Sequence, residues 1–412
     1  MERKRRGWKV VIFIIGLVMI QMGSAGFTQS QPKEVVIGIA HPLTGPTARF
    51  GIVLKNGWEM AVEEINATGG IKSLGGAKMK LVFADVVNKT DLAASETERL
   101  INNYKPAMLA GCMASTLTLV ATEIAERHKI PFIVDNATAD KITERGFKYT
   151  FRPTQTSSVM ARSSFKFLED VTQKTGVAPK RVAVVYEDTD YGIPYAKMVR
   201  EKAKEAGWQL VADEPYPSGT PDLTLTVTKL KAANPDVLFC VGYINDIILL
   251  GRTIRDYKFE PKAIIHFGGA TSMPDFFNAL GKAAEYYFTG VAYAVDMKHP
   301  NLASMVKKYQ EKFGELPNEN ADNGYIAAYV AKEVLEGAGS TDHEKIREAF
   351  LKVNIAQGPA TIEGPIKFLP NGELANPRGI ITQNLGGKPA TVWPFDIAAD
   401  KVVYPIPKWS AR

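Results

Sequence analysis

The feature that most constrains this chain is a regular alternation, from Glu34 onward, of short apolar runs with longer amphipathic segments. The short runs are typical of buried strands. The longer segments carry apolar or small residues at spacings of three and four, as at Val53, Gly57 and Met60, and this spacing predicts helices. The predicted strands span residues 35–40, 79–85, 108–111, 131–136, 181–186, 209–216, 237–241, 263–267 and 290–294. Strands that alternate with helices in this way form parallel sheets covered by helices on both faces, so the sequence predicts an α/β fold.

Two interruptions of this pattern divide the chain into two units. Residues 149–158 read YTFRPTQTSS and follow about four strand–helix units, and a second set of units starts at Arg181. The apolar run that begins at Gly290 marks a return of the chain to the first unit. A chain of 412 residues, 45% of them hydrophobic, is long enough for two or three domains with sizeable cores. We therefore expect two similar α/β lobes.

The first 25 residues have the layout of an export signal. A basic run from Arg3 to Arg6 precedes the apolar stretch 10–20, and small residues follow at 23–25. A basic start, a short apolar segment and small residues at the end describe a secretory signal peptide. The apolar stretch is shorter than the ~20 residues that span a bilayer. We expect cleavage after Ala25 and export to the periplasm; the alternative is an uncleaved anchor.

The charge of the chain argues against nucleic acid as a partner. The net charge is +6, but the first 24 residues hold five basic side chains against one acidic one, so only about +2 belongs to the rest.

The two cysteines, Cys112 and Cys240, each end an apolar run, and no CxxC motif occurs. We expect both to be free core residues rather than metal ligands or partners in a disulfide bond.

Motifs of common enzyme classes are missing from the sequence. There is no GxSxG, no phosphate-binding GxxxxGK[ST], no GxGxxG after the first predicted strand and no HxxxH pair. His41 and His266 lie near predicted strand ends, where a structural role is the simpler interpretation. These absences predict a protein that is not an enzyme and binds no metal and no cofactor.

Several segments together resemble the leucine/isoleucine/valine-binding family of periplasmic solute receptors, which serve ABC importers. Residues 37–51 read IGIAHPLTGPTARFG, and residues 57–71 read GWEMAVEEINATGGI. The segments 114–116, 131–138, 181–186, 191–192, 234–236, 324–328, 364–368 and 371–372 follow in the family's order. The likeness covers nearly the whole chain after the leader.

The resemblance implies a type I periplasmic-binding-protein fold: two parallel-sheet α/β lobes joined by a three-strand hinge, with the ligand in the cleft between them. Lobe 1 would comprise residues 34–152 and 289–363, and lobe 2 residues 153–288 and 364–412. The implied partners are a small-molecule solute and the permease subunits of an importer, whose ATPase must be a separate chain. The receptor itself would be a monomer.

Hydroxyl side chains follow two predicted strands. Ser115 follows the run 108–111 and Thr138 follows the run at 131–134, and each precedes a helical segment. Ligands of open α/β sheets bind beyond the carboxyl ends of strands, where helix N-termini and hydroxyls donate hydrogen bonds to anions. The resemblance implies that Ser115, Thr138 and the backbone at Asn136 hold the ligand carboxylate. The alternative is that both hydroxyls only cap helices.

Aromatic residues occupy other loops after strands. Phe50 follows the first strand, Tyr191 the strand at 181–186, and Tyr243 the strand at 237–241. Lone aromatic residues belong more often to the core, but these positions match ligand contacts in the family. Tyr293 and Tyr325 are weaker candidates.

The loop after the strand 263–267 departs from the family pattern. Receptors for α-amino acids place a carboxylate there for the ligand ammonium, whereas this loop reads GGATS, with Ala270 or Thr271 at the matching position. A buried ammonium without a partner costs several kcal/mol. The ligand is therefore expected to be an aromatic or aliphatic organic acid, with Thr271 among its contacts. An amino acid remains the alternative if Asp246 or Asp275 substitutes for the missing acid.

Two other classes of function compete with an importer's receptor. The same fold forms ligand-sensing domains of signalling or amide-responsive systems, which a fused kinase would indicate. A secreted hydrolase or transferase would need a nucleophile with an adjacent base, and none is visible.

Overall fold

The computed structural model describes residues 33–412, so the expected signal peptide over residues 1–25 lies outside the described part of the chain. The strands are β1 Glu34–His41, β2 Lys78–Asp85, β3 Met108–Gly111, β4 Phe132–Ile133, β5 Thr150–Phe151, β6 Arg181–Glu187, β7 Gln209–Tyr216, β8 Val237–Val241, β9 Ala263–Phe267, β10 Phe288–Val291, β11 Asn354–Ile355, β12 Ile366–Lys367, β13 Ile380–Leu385 and β14 Lys388–Trp393. The α-helices are α1 Ala48–Ala67, α2 Thr90–Tyr104, α3 Ser115–His128, α4 Lys141–Glu144, α5 Ser157–Thr175, α6 Gly192–Glu205, α7 Thr224–Ala233, α8 Ile244–Asp256, α9 Pro274–Leu280, α10 Leu302–Phe313, α11 Glu319–Ala338 and α12 His343–Lys352. Among residues 33–412, none of these helices has both the length and the apolar composition needed to cross a bilayer.

The first sheet has five parallel strands in the order β2-β1-β3-β4-β5. Val35, Ile37 and Ile39 of the buried strand β1 pack in one apolar cluster with residues of α1 and α11. Leu109 of β3 packs instead with residues of α2 and α3. Because successive side chains of a strand point to opposite faces, this sheet is covered by helices on both sides.

The second sheet has seven strands in the order β14-β13-β10-β9-β8-β6-β7. The neighbouring strands β7, β6, β8, β9 and β10 are parallel. Strand β13 pairs antiparallel with β10, and β14 pairs antiparallel with β13. Helices α5 and α6 pack on this sheet, where Phe165 stacks on Phe239 at 5.0 Å. Both sheets therefore belong to the α/β class that the alternation predicts.

The strand predicted at 290–294 begins two residues earlier in the structure and ends three residues earlier. It spans Phe288–Val291 and belongs to the second sheet, where Gly290 pairs with Phe267 and Thr289 pairs with Thr382. The chain thus leaves the second sheet after Val291, rather than before Thr289. The strand predicted at 131–136 is also shorter, since β4 ends at Ile133 and the following residues turn out of the sheet.

Two glycines let α1 and α11 approach until their backbones touch. A Cβ atom on Gly57 would lie 2.0 Å from the carbonyl oxygen of Ala321, and one on Gly324 would lie 2.2 Å from that of Leu54. Contacts this short leave no room for any side chain at either position. The packing fixes the position of α11 along α1, and with it the position of the first turn of α11.

Both cysteines are free and buried, as the sequence predicts. Cys112 follows β3 in the first sheet and Cys240 lies in β8 of the second, and burial raises the pKa of both thiols. Dithiothreitol is therefore expected to leave the melting temperature unchanged, because no covalent cross-link contributes to stability. Thermal unfolding followed by circular dichroism, with and without the reductant, checks this; a clear drop on reduction would contradict it.

Candidate functional site

A cavity lies where the carboxyl ends of strands from both sheets meet. It encloses about 580 Å³ of space not occupied by protein atoms, its open mouth included. Its walls are formed by Phe50, Met113, Ser115, Asn136, Ala137, Thr138, Thr154, Gln155, Tyr191, Gly242, Tyr243, Phe267, Gly268, Gly269, Ala270, Glu319, Asn320 and Asn323. A cavity at the carboxyl ends of parallel strands is the usual setting for a small-molecule ligand. The structure brings six predicted site residues together here: Phe50, Ser115, Asn136, Thr138, Tyr191 and Tyr243.

Ser115 and Thr138 are linked through the loop that follows β4. The hydroxyl oxygen of Ser115 accepts a hydrogen bond from the backbone N–H of Ala139 at 3.2 Å. The hydroxyl oxygen of Thr138 accepts one from the Ser157 hydroxyl at 3.1 Å. A hydroxyl that accepts one bond still has its own O–H to donate. Both side chains can therefore donate to the same small group in the cavity.

Neither hydroxyl residue occupies the capping position of its helix. The residue that precedes α3 is Ala114, and the residue that precedes α4 is Asp140. Ser115 is instead the first residue of α3, and its oxygen is bonded to a neighbouring loop. The alternative interpretation, in which both residues serve only as helix caps, does not describe this geometry.

Four helices of ten or more residues begin at the cavity. Ser115 and Glu319 are the first residues of α3 and α11, while Tyr191 and Tyr243 directly precede α6 and α8. The N-terminus of each helix carries a partial positive charge, equivalent to about half an elementary charge. No Lys, Arg or His is among the residues that line the cavity in the described part of the chain. Helix N-termini and hydroxyls are thus the groups that favour an anion here.

Three aromatic rings form an apolar wall. Tyr191 stacks on Tyr243 with ring centres 5.2 Å apart, and Phe50 meets Tyr243 edge-on at 5.9 Å. The Tyr191 hydroxyl donates to the carbonyl oxygen of Phe267 at 3.0 Å, which fixes the ring. Burial raises the pKa of Tyr191 and Tyr243, so both phenols stay neutral. The wall suits the apolar part of a ligand.

Thr271 is not brought to the cavity. It lies in a short 3₁₀ helix, Gly269–Ser272, where it is fully buried and its hydroxyl shares a hydrogen bond with that of Thr289 at 2.6 Å. Ala270, the other residue considered at this position, does line the cavity. The 3₁₀ turn rotates successive side chains by about a third of a turn, so a one-residue difference moves a side chain from the cavity to the core.

The two acids considered as substitutes lie outside the cavity wall. Asp246 accepts a hydrogen bond from the backbone N–H of Gly219 at 3.1 Å, and Asp275 pairs with Arg49 at 3.2 Å. Glu319 is the acid that does line the cavity. Its Oε1 accepts hydrogen bonds from the backbone N–H of Ala292 at 2.8 Å and from Gln155 Nε2 at 2.9 Å. Burial raises the pKa of Glu319 to about 7, against the lowering effect of these two hydrogen bonds.

Sequence reasoning missed the first turn of α11. The helix begins at Glu319, and Asn318 caps it by accepting bonds from the N–H groups of Asn320 and Ala321. The available signal was Asn318 itself, since asparagine is a preferred capping residue. The missed turn supplies three residues of the cavity wall: Glu319, Asn320 and Asn323. Asn323 donates to the Asn136 side chain at 2.9 Å and so connects this turn to the loop after β4.

Comparison with known proteins gives one consistent family. The family profile described as periplasmic binding protein matches residues 34–387. The Leu/Ile/Val-binding protein homolog 7 of Brucella abortus is 30% identical over 409 residues, which cover 96% of this chain and 99% of that relative.

Solved structures share the same architecture. The leucine-binding protein LivK from Thermotoga maritima is 26% identical, with a TM-score of 0.77 over 88% of this chain and 99% of that protein. A solute-binding protein of an ABC transporter from R. palustris, solved in complex with benzoate, is 19% identical, with a TM-score of 0.76 over 87% of this chain and 95% of that protein. At that identity, the likeness of the second structure concerns the fold alone.

Proposed function

The chain belongs to the periplasmic binding protein family, and on that premise we propose that it is the substrate-binding component of an ABC importer, which captures a small carboxylate-bearing solute in the cavity. The observation that carries the proposal is the meeting of two hydroxyls, Ser115 and Thr138, with the N-termini of α3, α6 and α8 around one cavity. Such donors bind a carboxylate without a basic side chain.

We propose that residues 34–152 and 292–374 form one lobe, that residues 153–291 and 380–412 form the other, and that the lobes close on the ligand about a hinge. These bounds differ from the expected 289 and 364 because β10 belongs to the second sheet, and because Ile366, Phe368 and Leu374 pack with residues of β1, α1 and α11. Contacts between the first and second sets of residues surround the cavity. Arg49 pairs with Asp275 at 3.2 Å, and the Thr116 hydroxyl donates to Asp190 at 3.0 Å. Contacts of this kind form on closure and bury the ligand.

The ligand class is open between a branched-chain amino acid and an aromatic or aliphatic organic acid. One neighbouring structure is named leucine-binding, and another was solved with benzoate. The aromatic wall of Phe50, Tyr191 and Tyr243 suits the apolar part of either.

The proposed partners follow from the family. Permease subunits in the membrane would recognise the closed, liganded form, and a separate ATPase chain would drive transport. We propose that the protein works as a periplasmic monomer, without a cofactor, without nucleic acid and without catalysis.

A thermal-shift screen of the protein from Gly26 onward tests the proposal. The panel contains branched-chain and aromatic amino acids, aromatic and aliphatic acids, and the amide of each compound as a matched control without the carboxylate. A ligand that binds only the folded state at a hundred times its Kd adds about 2.7 kcal/mol to the free energy of unfolding. At least one carboxylate is expected to raise the melting temperature, and its amide is not. Stabilisation by amides alone, or by nothing in the panel, would contradict the proposal.

A further inference from the structure

The loop after β9, which contains no acid, lies next to the acid Glu319 in the cavity wall. Gly268, Gly269 and Ala270 line the cavity after β9, and Glu319 at the start of α11 lines it as well. A Cβ atom built on Gly269 would lie 3.7 Å from Oε2 of Glu319. The carboxylate of Glu319 therefore reaches the wall that the loop after β9 forms, and the small residues of this loop leave room for it.

The Glu319 side chain is held by one of its two oxygens. Oε1 accepts both the Ala292 N–H and the Gln155 amide, whereas Oε2 is the oxygen near Gly269. In residues 33–412, Glu319 forms no ion pair with a Lys, Arg or His, and it is the one charged side chain in the cavity wall. A carboxylate deep in a protein is costly without a cationic partner. The cavity thus presents an acid whose charged form a cationic group of the ligand would stabilise.

We propose that Glu319 is a specificity-determining residue that binds the ammonium group of the solute, while Ser115 and Thr138 bind its carboxylate. This inference rests on the proposed function and narrows it to zwitterionic ligands. The acid would come from the first residue of α11 instead of from the loop after β9. The proposal favours the amino-acid alternative over the organic acid that the loop sequence predicts, with Glu319 in the role considered for Asp246 or Asp275.

None of the titratable groups around Glu319 supplies a positive charge. The groups that feel its charge are Asp322, one turn along α11, Glu363 and Tyr191, and burial raises the pKa of all three, which favours their neutral forms. Burial of Glu319 raises its pKa to about 7, and an ammonium ion beside it would stabilise the charged form. A monoanionic organic acid would instead place a second negative charge in the same cavity, unless Glu319 took up a proton.

Matched pairs of ligands test this assignment on the variant Glu319→Gln. L-leucine is compared with leucic acid, and L-phenylalanine with phenyllactic acid, because each pair differs only in an ammonium against a hydroxyl group. Affinities are measured by titration calorimetry on wild type and variant. The wild type is expected to prefer the amino acid of a pair. In the variant, the affinity for the amino acid is expected to fall about a hundredfold, while that for the hydroxy acid stays the same or rises, because the variant removes the opposing negative charge.

The ratio of the two affinities is measured on one protein sample, so partial loss of folding in the variant cancels. Glu319→Asp, which keeps the charge but shortens the side chain, is the second variant and is expected to retain part of the preference. A wild-type preference for the hydroxy acids, or an amino-acid affinity that Glu319→Gln leaves unchanged, would overturn the inference and leave the proposed function intact. Failure of every carboxylate to bind would overturn the proposed function, and this inference with it.

The pH dependence of binding supplies an independent readout. Because the ammonium lowers the pKa of Glu319 in the complex, affinity for the amino acid is expected to fall as the pH is lowered from about 8 to about 5.5. Binding of a monoanion would take up a proton at Glu319 and strengthen over the same range. Glu319→Gln is expected to abolish either pH dependence. A pH dependence caused by Asp322 or Glu363 would instead persist in this variant, because both acids remain. A trend that survives in Glu319→Gln would overturn the assignment to Glu319.

Discussion

Arg152→Met is expected to lower the free energy of unfolding by about 3–5 kcal/mol, because it removes one partner of a buried ion pair. The Arg152 side chain is fully buried, and its guanidinium binds Glu373 through Nε at 3.0 Å and through Nη2 at 2.7 Å. Methionine replaces the aliphatic stem of arginine but has no charge and no hydrogen-bond donor. The variant would leave Glu373 without its cation in a largely buried position.

The same guanidinium supports the loop that carries the site. Nη1 of Arg152 donates to the carbonyl oxygens of Ala137 at 3.2 Å and Ala139 at 2.8 Å, on either side of Thr138. Nη2 also donates to the Thr143 hydroxyl at 2.8 Å. Loss of these bonds leaves buried carbonyl oxygens unpaired, which adds to the cost. Ligand affinity is therefore expected to fall together with stability.

Urea denaturation followed by circular dichroism measures the loss, with Arg162→Met as the matched control. Arg162 lies in α5 and is exposed, so the same substitution there is expected to change the free energy of unfolding by less than about 0.5 kcal/mol. If Arg152→Met cost no more than this control, the buried network would contribute nothing beyond packing.

Four strands have the bounds that the sequence predicts: β3, β7, β8 and β9. β3, β8 and β9 are fully buried, and a strand covered by helices on both faces reads as an uninterrupted apolar run. Strand β10 differs because its bounds are set by pairing with β9 and β13, and β13 lies about ninety residues later in the chain. A local pattern contains no information about such a partner.

The same contrast between local patterns and contacts distant in sequence applies to the site. Ser115, Thr138, Tyr191 and Tyr243 could be predicted because each follows a strand whose end fixes its position. Glu319 could not, since its two hydrogen-bond donors, Gln155 and Ala292, are 164 and 27 residues away in sequence. Its position also depends on the close packing of α1 against α11, which Gly57 and Gly324 allow. The presence of these glycines in the sequence does not indicate which helix packs against them.

The double variant Ser115→Ala/Thr138→Ala is expected to weaken ligand binding by about 1.5–3 kcal/mol for each charge-assisted hydrogen bond that is lost. Both hydroxyl oxygens already accept a bond from the protein, so their O–H groups are the ones available to a carboxylate. If the two contributions add, the affinity falls by more than a hundredfold, and either single variant accounts for part of the loss. Calorimetry with the carboxylate that stabilises the wild type most in the thermal-shift screen measures the effect.

Part of any loss in the double variant comes from the protein itself, because Ser115 also holds the Ala139 N–H. The melting temperature without ligand separates the two contributions: it reports the structural bond, whereas affinity at a temperature well below melting reports the bond to the ligand. Ser95→Ala/Thr228→Ala removes the same two groups from exposed helix positions and is expected to leave affinity unchanged. If the site variant stayed folded and bound within twofold of the wild type, other donors, such as the N-terminal N–H groups of α6 and α8, would have to hold the carboxylate.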